Sequence, residues 1–236
     1  EITSALATAA DADYEVDMGV SFVGLNALLM RRYMHEYGWK HSDFAPFAIN
    51  AHANALHNPH ARLHQAITVE DFDKSAMIAS PINLLDASPI GDGAAAVILV
   101  PADSLPAGER ILVVGSAAAS DTIAVHNRRD PLFLSAAHKT AREAFQQAGV
   151  TPCEIDCFEL HDAFTIMSAL SLEACGFAER GQALRLGLEG DILISGRLPV
   201  TTRGGLKARG HPVGATGIAQ VFEIVTQLRN EAGERQ

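Results

Sequence analysis

Apolar residues along the chain follow two patterns, and the commoner one is typical of helices. Those within residues 20–37 recur at helical spacing with charged residues opposite, and Gly38 follows as a stop signal. Further helices are predicted from Ser42, as N-cap, to the residue before Asn58-Pro59. The remaining predicted helices cover residues 131–149, 164–175, 179–189 and 212–232.

The second pattern is a short continuous apolar run bounded by Gly, Pro or polar residues. Such runs occupy residues 92–100, 111–115 and 155–160, and they are typical of strands buried on both faces. Residues 69–82 are interpreted as a connector that leads into a further strand. The alternation of buried strands with helices predicts an α/β fold with a largely parallel sheet.

Composition narrows the class of protein. The chain has 236 residues, of which 48% are hydrophobic and 19% charged, as in a globular protein with a sizeable core. Its net charge of −10 argues against nucleic acid as a main partner, because phosphate binding needs a basic face. No apolar run reaches the ~18–20 residues that a membrane span needs. Three cysteines give no disulfide framework, so the cytoplasm is the predicted location.

The densest sequence signal lies in residues 203–217, which hold five glycines, one proline and one histidine. Glycine at this density predicts backbone with positive φ, or another group packed closely against the main chain. Pro212 suits the first turn of a helix, so His211 is expected at a helix N-terminus, where negative charge is favoured. Arg203, Lys207 and Arg209 are interpreted as a basic patch beside it. A tight turn with a capping histidine is the simpler alternative.

Three segments resemble one family. Residues 204–217 resemble the Gly-His-Pro block of the thiolase superfamily, and residues 161–164 (His-Asp-Ala-Phe) and 87–96 resemble two further blocks. The chain is similar over nearly its whole length to thiolases of the sterol-carrier-protein and archaeal type.

The resemblance implies a thiolase-like layered fold, αβαβα in the complete protein and incomplete in this chain. Residues 1–100 would hold the remainder of a loop domain and the last strand of the N-terminal half. Residues 101–236 would form the C-terminal domain without its last strands, and residues 101–110, rich in Pro and Gly, mark the boundary. A first residue that is not Met, with no signal-peptide pattern, is interpreted as a sign of a fragment or a processed product.

The family chemistry implies an acyl-CoA C-acyltransferase of lipid metabolism, which forms or cleaves β-ketoacyl-CoA through a cysteine acyl-enzyme. By this resemblance His211 activates the cysteine and His161 donates a hydrogen bond to the enolate oxygen. Ser88 matches a serine that contacts the pantetheine arm of CoA, although an ordinary turn residue is an equal alternative. CoA and its esters are then substrates, and no tightly bound cofactor is expected.

Two departures from the family pattern bear on activity. Ala163 stands where the sterol-carrier type has an acid/base cysteine, and alanine transfers no proton. The nucleophilic cysteine belongs to a part of the fold that precedes Glu1, so the chain by itself is expected to be inactive. Cys157 and Cys175 are interpreted as small apolar core residues, and Cys153 as a turn residue without an activating group.

Other interpretations stay open. His60 and His64 would share a helix face, but without a neighbouring Cys or paired carboxylate they predict no metal site. A thiolase-fold aldolase acting on a steroid-CoA and a non-catalytic acyl-CoA-binding subunit are the alternatives to a thiolase. The resemblance also implies a homodimer or tetramer, with a small OB-fold acyl-CoA-binding protein as a candidate partner.

Overall fold

The computed structural model describes residues 2–106, 108 and 110–236. Its helices are α1 (Ile2–Ala7), α2 (Phe22–Tyr37), α3 (Ala45–Ala55), α4 (Val69–Lys74), α5 (Ser135–Ala148), α6 (Thr165–Ala174), α7 (Ala183–Leu188) and α8 (Thr216–Leu228). Two strands, β1 (Met77–Ala79) and β2 (Ile82–Asn83), pair antiparallel, with Met77 opposite Asn83. Single π-helical turns occur at Ala12–Val16 and Gly205–Arg209.

Helix α2 shows how local signals set the boundaries of an element. The Ser21 hydroxyl accepts a hydrogen bond from the Gly24 N–H at 3.2 Å and caps the N-terminus. Gly38 ends the helix with a left-handed backbone (φ 77°), and its N–H donates to the Met34 carbonyl at 2.9 Å. The helix predicted over residues 20–37 is therefore confirmed within two residues of its start.

Buried apolar side chains of α2, α3, α6 and α7 share one core. Its members include Met30, Tyr33, Phe47, Ile166, Leu170 and Leu184. Each wholly buried aliphatic side chain contributes roughly 1.5–3 kcal/mol relative to exposure. This core fixes α3 and α6, and both helices lie beside the segments that carry the candidate site residues.

Two helices begin later than the sequence predicts. Helix α3 starts at Ala45 instead of after Ser42, because His41–Phe44 form a 3-10 turn first. Helix α8 starts at Thr216 instead of Pro212, because residues 213–215 form a turn closed by the Thr216 N–H on the Pro212 carbonyl at 3.0 Å. Both predictions of the starting residue were wrong.

The other predicted helices are present, and each is shorter than predicted. Residues 131–149 contain α5, which Gly149 terminates with φ 72°, and residues 164–175 contain α6. Residues 179–189 contain α7. The connector over residues 69–82 holds a short helix, α4, before β1 and β2.

The three predicted buried strands do not form ladders. Residues 92–100 and 111–115 run without a hydrogen-bonded neighbouring strand among the described residues, and Ile98 is 90% exposed. Residues 155–160 make one parallel bridge, from Phe158 to Val200. A strand exists only where a neighbour pairs its N–H and C=O groups, and the described chain supplies no such neighbour for the first two segments.

Residues 101–110, predicted to be a domain boundary, contain a 3-10 turn at Ala102–Ser104. Ala107 and Glu109 within that segment lie outside the described residues, as does Glu1. Within the described part of the chain, no helix combines the length and the apolar character needed to cross a membrane.

Two glycines with the same backbone conformation provide a test of the packing. Gly181 (φ +74°) lies so close to the Tyr37 ring that a Cβ would come within 2.2 Å of it, whereas Gly149 (φ +72°) faces open space. Gly149→Ala should lower the free energy of unfolding only by the cost of a left-handed backbone at alanine, about 1–2 kcal/mol. Gly181→Ala should lower the free energy of unfolding by a further ~1–3 kcal/mol, because the Tyr37 ring must move. Urea unfolding measures both losses, and equal values would contradict the close approach.

Candidate active site

The three segments singled out in the sequence lie side by side. Residues 87–91 run between the other two segments: the Ser88 N–H donates to the Ala163 carbonyl at 2.8 Å. On the opposite edge, the His211 N–H donates to the Pro89 carbonyl at 3.2 Å, and the Gly91 N–H donates to the His211 carbonyl at 3.4 Å. The structure therefore brings Ser88, His161 and His211 onto three adjacent stretches of backbone.

The rings of His161 and His211 face each other. Their centroids are 5.0 Å apart and their planes meet at 81°, an edge-to-face arrangement. His161 ends an extended segment that α6 follows three residues later, and His211 ends the glycine-rich loop before α8. His161 is exposed and His211 is half-buried.

The partner of His211 selects its tautomer. Nδ1 of His211 lies 2.7 Å from the Thr216 hydroxyl oxygen, which itself donates to the Pro212 carbonyl at 3.1 Å. A hydroxyl that donates to that carbonyl offers its oxygen to a proton on His211 Nδ1, so this geometry favours the Nδ1–H tautomer. In that tautomer Nε2 is left as a proton acceptor.

Both histidines are held neutral near pH 7. Burial, together with the neighbouring His161 and Arg209, lowers the pKa of His211 to about 4. His161 is exposed on one side, yet the protein packed on its other side lowers its pKa as well, while Asp162 opposes that shift. A neutral His211 accepts a proton, and a neutral His161 donates a single N–H.

Two glycines allow the loop that carries His211 to pack where it does. Gly204 (φ +98°) and Gly205 (φ +52°) both have positive φ, and a Cβ on Gly205 would lie 2.3 Å from the Asp162 carboxylate. The same carboxylate accepts a hydrogen bond from the Leu206 N–H at 2.8 Å. The loop is thus anchored on the residue next to His161.

A groove of about 830 Å³ lies beside the site, between residues 90–96 and the start of α8. Four basic side chains line it, namely His60, Arg62, Arg203 and Arg209, and Asp92 is the acidic residue among its lining. The Arg203 guanidinium lies 4.7 Å from the centre of the Phe222 ring. An anionic ligand would be favoured in this groove.

The predicted basic patch is correct for Arg203 and Arg209 and wrong for Lys207. Lys207 is only 1% exposed, and its ammonium donates to the Asp86 carbonyl at 2.6 Å instead of facing the groove. A lysine four residues before His211 was assigned to the surface because lysine is almost never buried. Its burial follows from the π-helical turn, which the sequence does not reveal.

Sequence reasoning also missed the network around Asp86. The wholly buried Asp86 carboxylate lies 2.6 Å from His41 Nε2 and accepts from the Asn83 N–H at 2.8 Å and from the Thr165 hydroxyl. The His41 ring also stacks on Phe72, with centroids 4.8 Å apart. His41 and Thr165 are far from Asp86 along the chain, and no spacing signal links the three residues.

The cysteines match the sequence prediction only in part. Cys153 is exposed, as a turn residue should be, whereas Cys157 and Cys175 are half-buried and not core residues. Burial raises the pKa of each half-buried thiol to about 11, so both remain protonated near neutral pH. Neither is an activated nucleophile.

The histidines of residues 52–64 make separate contacts and do not form one cluster. His60 and His64 do not share a helix face, because both follow the end of α3, in turn and extended backbone. His64 Nε2 lies 2.7 Å from the Asn58 carbonyl, and His52 Nδ1 lies 2.8 Å from the Gln65 carbonyl. Among the described residues, no group of three or more His, Cys, Asp or Glu side chains is arranged to hold a metal ion.

With the geometry in place, comparison with known proteins identifies the family. Residues 117–236 match the family model described as "Thiolase C-terminal domain-like". The chain belongs to the thiolase family. The match includes both histidines of the site and the loop between them, and the membership predicted from the three sequence blocks is confirmed.

Curated relatives point the same way. The chain is 48% identical to the acetyl-CoA acetyltransferase of Methanothermobacter thermautotrophicus, covering 99% of this chain and 62% of that protein. It is 36% identical to the acetyl-CoA acetyltransferase of Methanocaldococcus jannaschii, covering 98% and 60%. Human sterol carrier protein 2 is 29% identical over 95% of the chain and 44% of its own length. This thiolase-family chain therefore spans about three fifths of the length of the archaeal relatives.

A solved structure shows the same fold. The chain superposes on the "Ltp2-ChsH2(DUF35) aldolase" with a TM-score of 0.80 at 26% sequence identity, covering 98% of this chain and 61% of that one. The thiolase-like α/β class predicted from the sequence is confirmed, although the described residues themselves form mostly helices and one small sheet.

The tautomer and pKa of His211 can be measured by NMR on the chain. Its ¹⁵N shifts near neutral pH should report a protonated Nδ1, and the ring should stay neutral down to about pH 4. Because this pKa is lowered from 6.5, the unfolded chain binds more protons in between. The stability that this group contributes is therefore full above pH 6.5 and is lost as the pH falls through about 4.

Thr216→Val is the matched variant, since it keeps the shape of the side chain but removes the oxygen that accepts from Nδ1. Its His211 should shift toward the Nε2–H tautomer. His211→Asn identifies the resonance by removing it. If wild-type His211 already carries its proton on Nε2, the assigned role of Thr216 is wrong.

Proposed function

We propose that the protein to which this chain belongs is a thiolase, an acyl-CoA C-acyltransferase that forms or cleaves β-ketoacyl-CoA. The observation that carries the proposal is the pair of neutral histidines 5.0 Å apart, with His211 Nε2 free to accept a proton. Thiolysis and condensation need one base for a thiol and one donor for a thioester oxygen. The acetyl-CoA acetyltransferase names of the two archaeal relatives support the same reaction.

In this mechanism His211 is the base. Its Nε2 accepts the proton of a cysteine thiol that we assign to residues outside this chain. The thiolate attacks the thioester carbonyl carbon, the acyl–sulfur bond to CoA breaks, and the departing CoA sulfur takes a proton from the imidazolium. The Thr216 hydroxyl holds the ring in the tautomer that this transfer requires.

His161 is the proposed donor in the second half of the reaction. When the α-carbon of the second acyl-CoA loses a proton, negative charge develops on its thioester oxygen. A fixed N–H aimed at that oxygen stabilises the enolate, typically by a factor of roughly 10²–10³. Ala163 contributes only its backbone, which accepts from Ser88, so the proton on the α-carbon must leave to another group.

Ser88 and the basic groove are the proposed contacts for CoA. The Ser88 N–H is already used on the Ala163 carbonyl, which leaves the hydroxyl available to the pantetheine arm. Arg62, Arg203 and Arg209 supply positive charge to one side of the site, and CoA carries several phosphate charges. CoA and its esters enter this scheme as substrates, with no tightly bound cofactor.

An aldolase on the same fold is the second candidate, because the solved structure with a TM-score of 0.80 is named an aldolase. By the family resemblance, such aldolases tend to have Tyr where this chain has His161. A phenol, whose pKa is near ~10, suits proton transfer from a substrate hydroxyl, whereas a neutral imidazole suits donation to an enolate. His161 therefore favours the thiolase. A non-catalytic acyl-CoA-binding subunit is the remaining alternative.

The partners belong to the same proposal. We infer a homodimer or tetramer, and a small OB-fold acyl-CoA-binding protein as an additional partner. The name of the solved neighbour joins an aldolase to a DUF35 component, which supports a two-component assembly. The cytoplasm remains the proposed location.

Replacing His211 tests the base. In the complete protein, His211→Ala should reduce acyl-enzyme formation from acetyl-CoA by a factor of roughly 10²–10⁴, the scale for a positioned acid/base group. His211→Asn keeps a hydrogen-bond donor but accepts no proton, so it should recover little. The measurement is the rate of labelling of the protein by radioactive acetyl-CoA. Near-normal labelling in either variant would show that His211 is not the base and has only a structural, capping role.

Replacing His161 separates the two candidate reactions. In the complete protein, His161→Asn should keep measurable condensation because the amide still donates, and His161→Ala should lose roughly 10²–10³. Acetoacetyl-CoA cleavage with free CoA is measured beside retro-aldol release from a β-hydroxyacyl-CoA. If Asn is as damaging as Ala, the donor role of His161 is wrong. If the wild type cleaves only the hydroxyacyl substrate, the aldolase is the better assignment.

A further inference from the structure

Lys207 is a buried cation that the proposed reaction does not use. Its side chain is 1% exposed, and the ammonium donates to the Asp86 carbonyl at 2.6 Å. Within the described residues, no carboxylate oxygen lies within 4.0 Å of its nitrogen as an ion-pair partner. Taking a lysine out of water costs free energy, so a position of this kind needs a reason beyond packing.

Three ionisable groups face Lys207 from the elements packed around it. Asp86 and Asp162 attract its charge, and His52 of α3 is repelled by it. Burial lowers the pKa of Lys207 to about 8 while the two carboxylates oppose the shift, so the side chain is mostly charged at neutral pH. The attraction of two buried acids therefore offsets part of the cost of burying this cation.

Lys207 and its neighbour Leu206 together contact every segment of the candidate site. It belongs to the loop of His211, and it binds the Asp86 carbonyl two residues before Ser88. That carbonyl also accepts from the Thr165 N–H at 3.0 Å, at the start of α6. The residue before it, Leu206, binds the Asp162 carboxylate at 2.8 Å, next to His161.

Asp162 has the greater need of a compensating charge. It is 2% exposed, one of its carboxylate oxygens accepts from Leu206, and the other has no hydrogen-bond partner among the described residues. The Asp86 carboxylate, by contrast, is satisfied by His41, Asn83 and Thr165. A buried carboxylate with an unused oxygen is costly unless a cation lies near, and Lys207 is that cation.

We propose that Lys207 is a positioning residue of the candidate active site: its buried ammonium fixes the segments of Ser88, His161 and His211 against one another and balances Asp162 behind His161. The part that concerns catalysis rests on the proposed thiolase reaction. The structural and electrostatic part holds for any reaction at these histidines.

The charge on Lys207 has a consequence that a packing role lacks. Asp162 raises the pKa of His161 and also that of Lys207, so the same carboxylate acts on both groups. We expect the ammonium to offset part of the field of Asp162 at His161. When Lys207 is made neutral at the same size, the field of Asp162 acts on His161 without that compensation. The pKa of His161 is then expected to rise.

An NMR titration of His161 in the 236-residue chain measures this effect. Lys207→Met removes the charge and the hydrogen bond at nearly the same volume, Lys207→Gln keeps a donor without the charge, and Lys207→Arg keeps the charge. Met and Gln should raise the pKa of His161 and Arg should leave it near the wild-type value. Lys74→Met is the control, because Lys74 is exposed and pairs with Glu70 on α4.

Each outcome decides the proposal. An unchanged His161 pKa in both Met and Gln variants would overturn it, and so would a shift of the same size in the Lys74→Met control. If Lys207→Met does not fold, Lys207→Gln carries the test against Lys207→Arg. A fall in the pKa of His161 would overturn the proposal as well, because the loss of a neighbouring positive charge is expected to raise that pKa.

Activity of the complete protein supplies the second measurement. Lys207→Met should lower kcat for acetoacetyl-CoA cleavage about tenfold to a hundredfold with little change in KM, since misplacement of the reacting groups affects the chemical step. Lys207→Arg should recover most of that loss. If wild type cleaves no acetoacetyl-CoA, the proposed function fails, while the titration of His161 still tests Lys207 independently. Normal kcat in Lys207→Met would overturn the positioning role.

Discussion

The candidate site depends on the backbone pairing of residues 88–91. The Ser88 N–H is held by the Ala163 carbonyl on one edge, and Pro89 and Gly91 exchange hydrogen bonds with His211 on the other. These bonds determine that His161 and His211 lie on neighbouring stretches of chain, so their rings meet at 5.0 Å without any direct bond between them. Side chains are then positioned by main chain, which moves less than a loop held only by side-chain contacts.

That pairing also sets the protonation of the site. Two imidazoles at this distance cannot both carry charge cheaply, and the protein around them disfavours charge on either one. A neutral pair with His211 Nδ1 engaged by Thr216 gives one free acceptor and one free donor. In the proposed reaction the acceptor serves the acyl transfer and the donor serves the later enolate step. The Asp162 carboxylate works against this neutrality at His161, and the role proposed for Lys207 is to limit that effect.

Sequence alone predicts the elements whose signals are local. Gly38 and Gly149 end α2 and α5, where a residue with positive φ is needed. The spacing of apolar residues within each helix predicts which face of the helix is buried. His161, His211 and Ser88 are predicted as site residues from three sequence blocks, and the structure brings those blocks onto adjacent stretches of backbone. The starts of α3 and α8 were missed because a 3-10 turn and a three-residue turn precede them.

Features that depend on distant partners could not be predicted. The apolar residues of 92–100 indicate a strand, yet a ladder needs a neighbour that the described residues do not supply, and Ile98 stays 90% exposed. Lys207 and Asp86 meet only after the loop folds over α3, so no spacing in the sequence links them. The partners of any buried charged residue are hard to predict from sequence, because the tertiary fold determines which groups lie beside it.

The fold by itself does not decide between acyl transfer and aldol cleavage, since the same fold supports sites of different chemistry. The decision rests on which groups at the site hold protons. At the place of His161 a phenol would supply an acid with a pKa near ~10, suited to a hydroxyl substrate. A neutral imidazole supplies a donor that stays fixed while charge develops on a thioester oxygen. Ala163 removes a further proton carrier from the site. In the proposed thiolase reaction the two histidines therefore act with a cysteine that faces His211, and a further group takes the proton of the α-carbon.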